Sequence, residues 1–415
     1  MTRASDACPS SRRETSNGCG WPTSRSSEVT ESTAWPSFLR TRVFHDFHEL
    51  WPDRLTNKTN GVTQRRWLLK SNPGQSRIIS AAIGTKWVTD LDELEKLVPL
   101  AEDRGLGDAW REAKRKQKVE LAGVIQRQYE RRGLTLQVSP DSLFDVQVKR
   151  FHEYKRQLLN LLHVITLYNR IVDRPQGDFV PRTVIFGGKA APGYDMAKLI
   201  IHLINSVADV VNNDRACRDV LKVAFLADYR VSLAERIFPA AELSEQISTA
   251  GTEASGTSNM KFALNGALTI GTMDGATIEI RQEVGNDNIF IFGLTADEVE
   301  TLRPQYDPWQ LYHANVELQR VLDMIRAGIF SHGDRTLFAP IVDALLAGGD
   351  RYFVLADYGP YLETQERVAR SYRDPAEWAR KSILNTAKMG KFSSDRTIRQ
   401  YAEEIWNVTP VPLTP

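Results

Sequence analysis

From Leu143 onward the sequence alternates short apolar runs with longer segments of helical period, and that alternation leaves few architectures open. A strand is expected around Leu143–Val148, followed by a helix from about Glu153 to Val172. A second strand at Thr183–Phe186 enters Gly187-Gly188 and a helix from about Tyr194 to Val211. A third at Leu221–Ala227 leads to Asp228-Tyr229-Arg230 and another helix. Strands separated in this way by helices build a parallel, doubly wound α/β sheet, whose site lies at the carboxyl ends of the strands.

The flanking segments read differently. Residues 1–40 are crowded with Ser, Thr, Arg and Gly, show no apolar period, and have the composition of a disordered tail. From Val43 aromatic residues return, with Trp51, Trp67 and Trp87 among turn signals at Asn60-Gly61 and Asn72-Pro73-Gly74. Residues 41–140 are read as strands and helices leading into a Rossmann-like domain over 141–390, and 391–415 as a terminal helix. A helix over Asp108–Arg132 follows from Leu121, Val124, Ile125 and Tyr129. Its basic residues Arg111, Lys114, Arg115, Lys116 and Lys118 read as a solvated face. No aromatic residues interleave to stack on bases, so nucleic-acid binding is disfavoured. At the far end, Ser394 or Asp395 would cap a helix with the apolar stripe Ile398, Tyr401, Ala402, Ile405 and Trp406, which needs an apolar surface to lie on.

Composition narrows the function. The 415 residues carry 53 basic and 52 acidic side chains, so no global field exists to hold nucleic acid or an anionic membrane, and an anion must be gripped locally. Cys8, Cys19 and Cys217 are too few and too scattered for a disulfide scaffold or a zinc site, and no metal is expected. Neither a run of 18 apolar residues nor a secretory signal occurs, which points to the cytoplasm.

Three tracts concentrate polar residues where a strand would hand over to a helix. In Val148-Lys149-Arg150-Phe151-His152-Glu153-Tyr154-Lys155-Arg156, four cations beside a strand end suit a phosphate dianion, or form a basic helix face paired on the surface. Thr249 to Lys261 is rich in small residues that expose backbone N–H groups, and a helix starting near Ser258 would aim its positive end into that loop. Lys261 does not directly follow Gly256, so the Walker pattern of nucleotide triphosphatases is absent. Beside Phe262 and Leu264 the Lys261 ammonium is disfavoured, the setting for an imine with an aldehyde cofactor such as pyridoxal phosphate; an exposed helix lysine is the alternative. Phe186-Gly187-Gly188-Lys189-Ala190-Ala191-Pro192-Gly193-Tyr194 allows either close backbone approach to a ligand or a structural turn, and lacks the dinucleotide spacing. His152 is the histidine inside a site-like tract, whereas His163 and His202 fall on helices as packing or surface residues.

These stretches, together with Asn57-Lys58-Thr59-Asn60-Gly61-Val62-Thr63, Ser142 to Arg156 and Ser244 through Gly275, resemble the glycogen/α-1,4-glucan phosphorylases from about Thr41 to the end. The resemblance implies a GT-B-type glycosyltransferase fold, of which this chain supplies the cofactor-binding domain. It also implies a pyridoxal phosphate cofactor, usually a homodimer, and reversible transfer of a glucosyl unit from an α-1,4-glucan to inorganic phosphate with retention. By position in the motifs, Lys261 resembles the lysine bonded to the cofactor, and Lys149, Thr257, Gly256 and Ser258 its phosphate contacts. Arg150 and Lys155 resemble the substrate-phosphate clamp. Glu253, Ala254, Ser255 and Gly256 resemble the loop that binds the glucosyl hydroxyls, with Asn60, Tyr154, Trp67, Tyr229 and Arg230 as further pocket residues and Lys149, Arg150, Lys155 and Glu253 as the catalytic set. Two phosphates held close must share a proton, which replaces the two carboxylates of ordinary glycosidases.

The resemblance covers the C-terminal half of the family's usual chain, and residues 1–40 do not continue it. With chosen codons, another reading frame across Glu14–Thr30 gives NVERMRMAHLAIVGSH, similar to family sequence upstream. A frame error that leaves residues 1–40 as a non-native tail is therefore the expectation; re-sequencing that finds no longer upstream match in any frame would remove it. Two expectations for the chain follow: a phosphorylase, or a non-catalytic remnant that still holds the cofactor. The stripe along Ile398, Tyr401, Ile405 and Trp406 is expected to lie uncovered or pack elsewhere, with poor solubility as the consequence.

Overall fold

The computed structural model describes residue 40, residues 43–409 and residue 411, so the expectations for the tail, with Cys8 and Cys19, fall outside the described residues. Six strands form one sheet: β1 (Leu143–Val148), β2 (Arg182–Gly187), β3 (Leu221–Leu226), β4 (Leu243–Gln246), β5 (Leu268–Gly271) and β6 (Phe290–Ile291). All adjacent strands are parallel, in the order β3-β2-β1-β4-β5-β6. The helices that position the site are α1 (Arg104–Glu130), α2 (Gln157–Asp173), α3 (Asp195–Asn213), α4 (Val231–Ala240), α5 (Ser258–Leu264), α6 (Tyr358–Tyr372) and α7 (Ser394–Tyr401).

The doubly wound parallel class expected from the sequence is the one observed. It follows from burial on two sides: every residue of β1 and β2 is buried, as in sheets covered on both faces. Leu143, Val184 and Val223 enter the core under α2, α3 and α6, while Phe144, Val146, Ile185 and Ala224 enter the one under α1 and α4. Residues 62–138 contribute Val62, Trp67, Ile79, Trp87, Trp110 and Leu121 to that second core. After β3 the chain returns to the far side of β1, so the β1/β4 seam is the point where winding reverses, and sheets of this kind bind ligands beyond the carboxyl ends of the strands at such a point.

Four local expectations are corrected. The helix read from Glu153 is instead a 3-10 turn, Glu153–Lys155, then a break at Arg156 (φ 54°) before α2. Arg156 is fully buried, and its guanidinium donates to the carbonyls of Ile247 (2.7 Å), Phe353 (3.2 Å) and Ser248 (3.3 Å) and to Asp357 Oδ2 (2.7 Å). One of the four cations of the first tract is thereby committed to holding the chain after β4. Of the five basic residues in the Arg111–Lys118 run of α1, Arg111, Arg115 and Lys116 are exposed, while Lys114 and Lys118 are buried in phase with Trp110, Leu121 and Ile125. Lys114 Nζ donates to the carbonyls of Ala241 (2.8 Å) and Asn265 (2.7 Å), and burial lowers its pKa to about 8. Lys118 Nζ meets Glu242 Oε1 at 3.3 Å and the Tyr372 hydroxyl at 3.2 Å.

The cap of α7 is Ser393, one residue earlier than expected, its Oγ accepting from the N–H of Asp395 at 3.2 Å. Val62 fixes that start by bridging Ser393, donating to the Phe392 carbonyl (2.8 Å) and accepting from the Ser394 N–H (3.2 Å). After α7, Ala402–Trp406 form a π-helical turn; Ile398 and Trp406 are exposed, and Tyr401, Ala402 and Ile405 half-buried. No helix among the described residues is long and apolar enough to cross a membrane.

Candidate functional site

Lys149 is the residue at which β1 leaves the sheet, and the backbone beside it leaves no room for choice. A Cβ on Gly188 would lie 2.0 Å from the Lys149 carbonyl oxygen and about 3 Å from the Phe151 ring. The second glycine of Gly187-Gly188 is therefore needed for close approach of backbone to backbone, and the Lys149 N–H donates to the Gly187 carbonyl at 3.0 Å. Held there, Lys149 Nζ donates to Gln246 Oε1 at the end of β4, 2.8 Å away across the crevice. Gln246 Nε2 in turn reaches Ser244 Oγ (2.9 Å) and Ser258 Oγ (3.4 Å). Burial lowers the Lys149 pKa to about 8, and the neighbouring Lys155 ammonium acts in the same direction.

The small-residue tract after β4 folds over this point. Asp274 fastens it: Oδ1 accepts from the N–H groups of Gly251 and Gly275 (both 3.1 Å), and Oδ2 from the Glu253 N–H (2.9 Å) and the Ser248 hydroxyl (2.7 Å). Burial raises the Asp274 pKa, and these hydrogen bonds to its charged form oppose the rise. Gly256 turns the chain with φ 74°, and α5 begins two residues later. At seven residues α5 has a small dipole, so the grip of this turn must come from backbone N–H groups and nearby cations.

Lys261 points into this enclosure. Its Nζ lies 3.3 Å from Thr257 Oγ1, 4.5 Å over the Trp67 ring and 5.9 Å from the Phe238 ring. Trp67 meets Phe238 edge-on at 5.4 Å, and Phe238 meets Phe262 at 4.5 Å, so the wall is aromatic. Burial lowers the Lys261 pKa. The structure thus brings Lys149, Gly256, Thr257, Ser258, Lys261 and Trp67 to one turn, with Lys149 reaching it through Gln246.

A second group adjoins it. Lys155 pairs closely with Glu253 and lies 4.6 Å over the Tyr154 ring. Burial alone would lower its pKa, but the Glu253 carboxylate outweighs that and raises it. Asn60 Nδ2 donates to Ser255 Oγ at 3.1 Å, next to the exposed Ala254. Arg150 is exposed, and among the described residues its guanidinium has no partner. Tyr229 is half-buried on the core under α4, with burial pushing its phenol up to about 12. Arg230 is exposed and pairs with Asp228, which also pairs with Lys189 at 3.1 Å. Tyr229 and Arg230 stand beyond the carboxyl end of β3, and no hydrogen bond or ion pair among the described residues joins them to Lys149 or Lys261. His152 turns inward as a cap, its Nδ1 accepting from the Tyr154 N–H at 3.3 Å.

Gln246 and Asp274 are absent from the residues singled out by sequence, although both sit within quoted motif stretches. Their signals were faint: a neutral amide ending a strand, and an Asp-Gly after β5. In sum, the arrangement offers a nucleophilic amine in an aromatic slot, a half-buried cation beside free N–H groups, and a second cation and carboxylate nearby. A carbonyl compound carrying a phosphate fits that donor set, and Lys155 and Arg150 add cations beside it.

The sequence model of the carbohydrate phosphorylases matches residues 30–408. The chain is 58% identical over 376 residues to the glycogen phosphorylase of Synechocystis sp., covering 90% of this chain and 44% of that protein. It is 54% identical over 378 residues to the glycogen phosphorylase of Chlamydia trachomatis, covering 91% and 46%, and 52% identical over 373 residues to the human muscle form, covering 90% and 44%. The chain spans less than half the length of these relatives.

Proposed function

This chain belongs to the carbohydrate phosphorylase family, and on that premise we propose that it carries the cofactor- and phosphate-binding centre of a cytoplasmic α-1,4-glucan phosphorylase. The reaction is reversible phosphorolysis: a terminal glucosyl unit of an α-1,4-glucan passes to inorganic phosphate as glucose 1-phosphate with retained configuration. The observation that supports this best is the convergence of Lys149 and Lys261 on the Thr257-Ser258 turn, one through Gln246 and the other directly.

The residues present fit pyridoxal phosphate. Lys261, uncharged more readily because of burial, is the amine that would hold it covalently, with the ring against Trp67. Lys149 and the N–H groups of Gly256 to Ser258 would hold its phosphate. When bound, the cofactor supplies a phosphate able to exchange a proton with the substrate phosphate. The rest falls to the chain itself. Arg150, unpaired and exposed, and Lys155, kept charged by Glu253, bind the substrate phosphate and offset the repulsion between two anions. Asp274 fixes the loop so that Glu253 and the Ser255 hydroxyl, steadied by Asn60, can orient the sugar hydroxyls. Lys149, at about 8, remains largely charged at neutral pH.

Borohydride reduction of the protein loaded with pyridoxal phosphate, followed by peptide mapping, should label Lys261, and glucan with phosphate should yield glucose 1-phosphate. A label elsewhere, or none, overturns the cofactor assignment. A labelled Lys261 without sugar phosphate leaves a cofactor-binding protein that does not turn over.

A further inference from the structure

A cavity of about 300 Å³ opens at the amino ends of β2 and β3, between α2 and α6, at the opposite end of the strands from Lys149 and Gln246. We propose that it is a binding site for a small planar aromatic acid, whose ring is buried on the apolar walls and whose carboxylate or phosphate ester is held by Arg174 and Arg370 at the mouth.

Charge is the first ground. Five arginines line the cavity, against the carboxylates of Asp178 and Glu366. Three of the five are committed. Arg170 makes a two-pronged pair with Glu317 (2.6 and 2.7 Å) and reaches Glu366 at 2.9 Å. Arg182 donates to Asp145 (2.8 Å) and Gln365 (2.5 Å), and Arg373 pairs with Asp178. The other two are not. Arg370 has one loose ion pair, with Glu366 at 3.9 Å, and among the described residues the Arg174 guanidinium makes no hydrogen bond or close ion pair, Asp173 and Glu317 acting on it at longer range only; both arginines are exposed. Guanidinium forks that hold no close carboxylate keep their N–H groups for the planar oxygens of an acid.

The floor and walls are the second, independent ground. His163 lines the cavity at 2% exposure, and among the described residues its Nδ1 has no hydrogen-bond partner. Burial, with Arg182 and Arg170 nearby, holds the imidazole well below its usual pKa, so the side chain meets the cavity as a neutral, polar group. Leu167, Phe179, Val220 and Leu362 supply apolar surface around it. A buried orphan nitrogen under apolar walls and spare cations is what a ligand with an apolar body and one acidic group completes. The volume sits at the small end of ligand sites, which limits the occupant to about one or two fused rings.

The test uses the full chain and isothermal titration calorimetry with 2-naphthoate and its uncharged isostere 2-naphthamide. Naphthoate should bind saturably, naphthamide at least about tenfold more weakly, and the Arg174→Gln/Arg370→Gln double variant should lose at least about tenfold in naphthoate affinity with an unchanged melting temperature, since both side chains are exposed. Equal binding by the double variant, equal binding of acid and amide, or no saturable binding to the unaltered chain would overturn the proposal.

Discussion

Gln246→Leu keeps the bulk of a side chain at the end of β4 while deleting the acceptor of Lys149 and the donor to Ser258. The lost bond is charge-assisted, 2.8 Å long and at the edge of the core, a kind that contributes roughly 1.5–3 kcal/mol. If Lys149 grips the cofactor phosphate as proposed, affinity for pyridoxal phosphate should fall by roughly 10- to 100-fold. Pyridoxal, which has the aldehyde but no phosphate, should lose far less. Absorbance titration of the cofactor-free protein with both compounds reads the ratio directly and separates a grip on phosphate from a general loosening of the fold, which would weaken both. Lys149→Met should abolish the same difference, and Gln246→Leu added to it should cost little more, because the two act through one bond. Equal losses for the two compounds, or additive losses in the double variant, refute the reasoning.

Lys114 sits at a pKa of about 8 in the fold against 10.5 ordinarily, so between those values the unfolded chain binds more protons and stability rises with pH. That lowering amounts to roughly 3 kcal/mol, a burden present in full below pH 8. Urea midpoints measured from pH 7 to 10 should climb, and the climb should lessen by up to one proton in Lys114→Met; an unchanged slope contradicts it. Gly188→Ala places a Cβ 2.0 Å from the Lys149 carbonyl oxygen, so the β1/β2 seam must part, at about 3 kcal/mol or more by chemical denaturation, with weakened phosphate binding. Ser393→Ala removes the cap of α7 and should cost about 1 kcal/mol, without effect on the ratio of pyridoxal phosphate to pyridoxal affinity.

What could be read from the sequence, and what could not, divides along physical lines. The strands β1 to β3 were legible because burial on two faces writes itself as an apolar run: Leu143–Val148 is observed as expected, and β2 is longer by one residue at each end. The strands β4 and β5 were not, since Leu-Ser-Glu-Gln and Leu-Thr-Ile-Gly carry no such run, whereas β6 is two residues of the apolar run Ile289–Phe292. Ser244 and Glu245 are wholly buried only because β1 and β5 flank them and Gln365 meets the Glu245 carboxylate at 2.7 Å. Their environment comes from topology, which local pattern does not contain.

The same distinction sorts the cations. A lysine or arginine announces its charge in the sequence but not its partner, and the partner decides what the charge is for. Arg156 and Lys114 spend theirs on distant segments, the carbonyls of Ile247 and Ser248 and the Asp357 carboxylate for one, the carbonyls of Ala241 and Asn265 for the other, and are thereby fixed as parts of the frame. Lys149 has one neutral amide, Lys261 one hydroxyl and an aromatic face, and Arg150 nothing among the described residues. A half-buried ammonium that faces a neutral amide keeps most of its field for an arriving anion, whereas one closed by a carboxylate does not. The residues able to receive a ligand are those the fold leaves underpaired beside a crevice. By that measure the tract from Lys149 to Arg156, uniform as a string of charges, separates into an underpaired end at Lys149 and Arg150, the one proposed to hold phosphate, and a structural end at Arg156. Lys155 stands between them: Glu253 answers part of its charge, and only the remainder is left for the substrate phosphate proposed above.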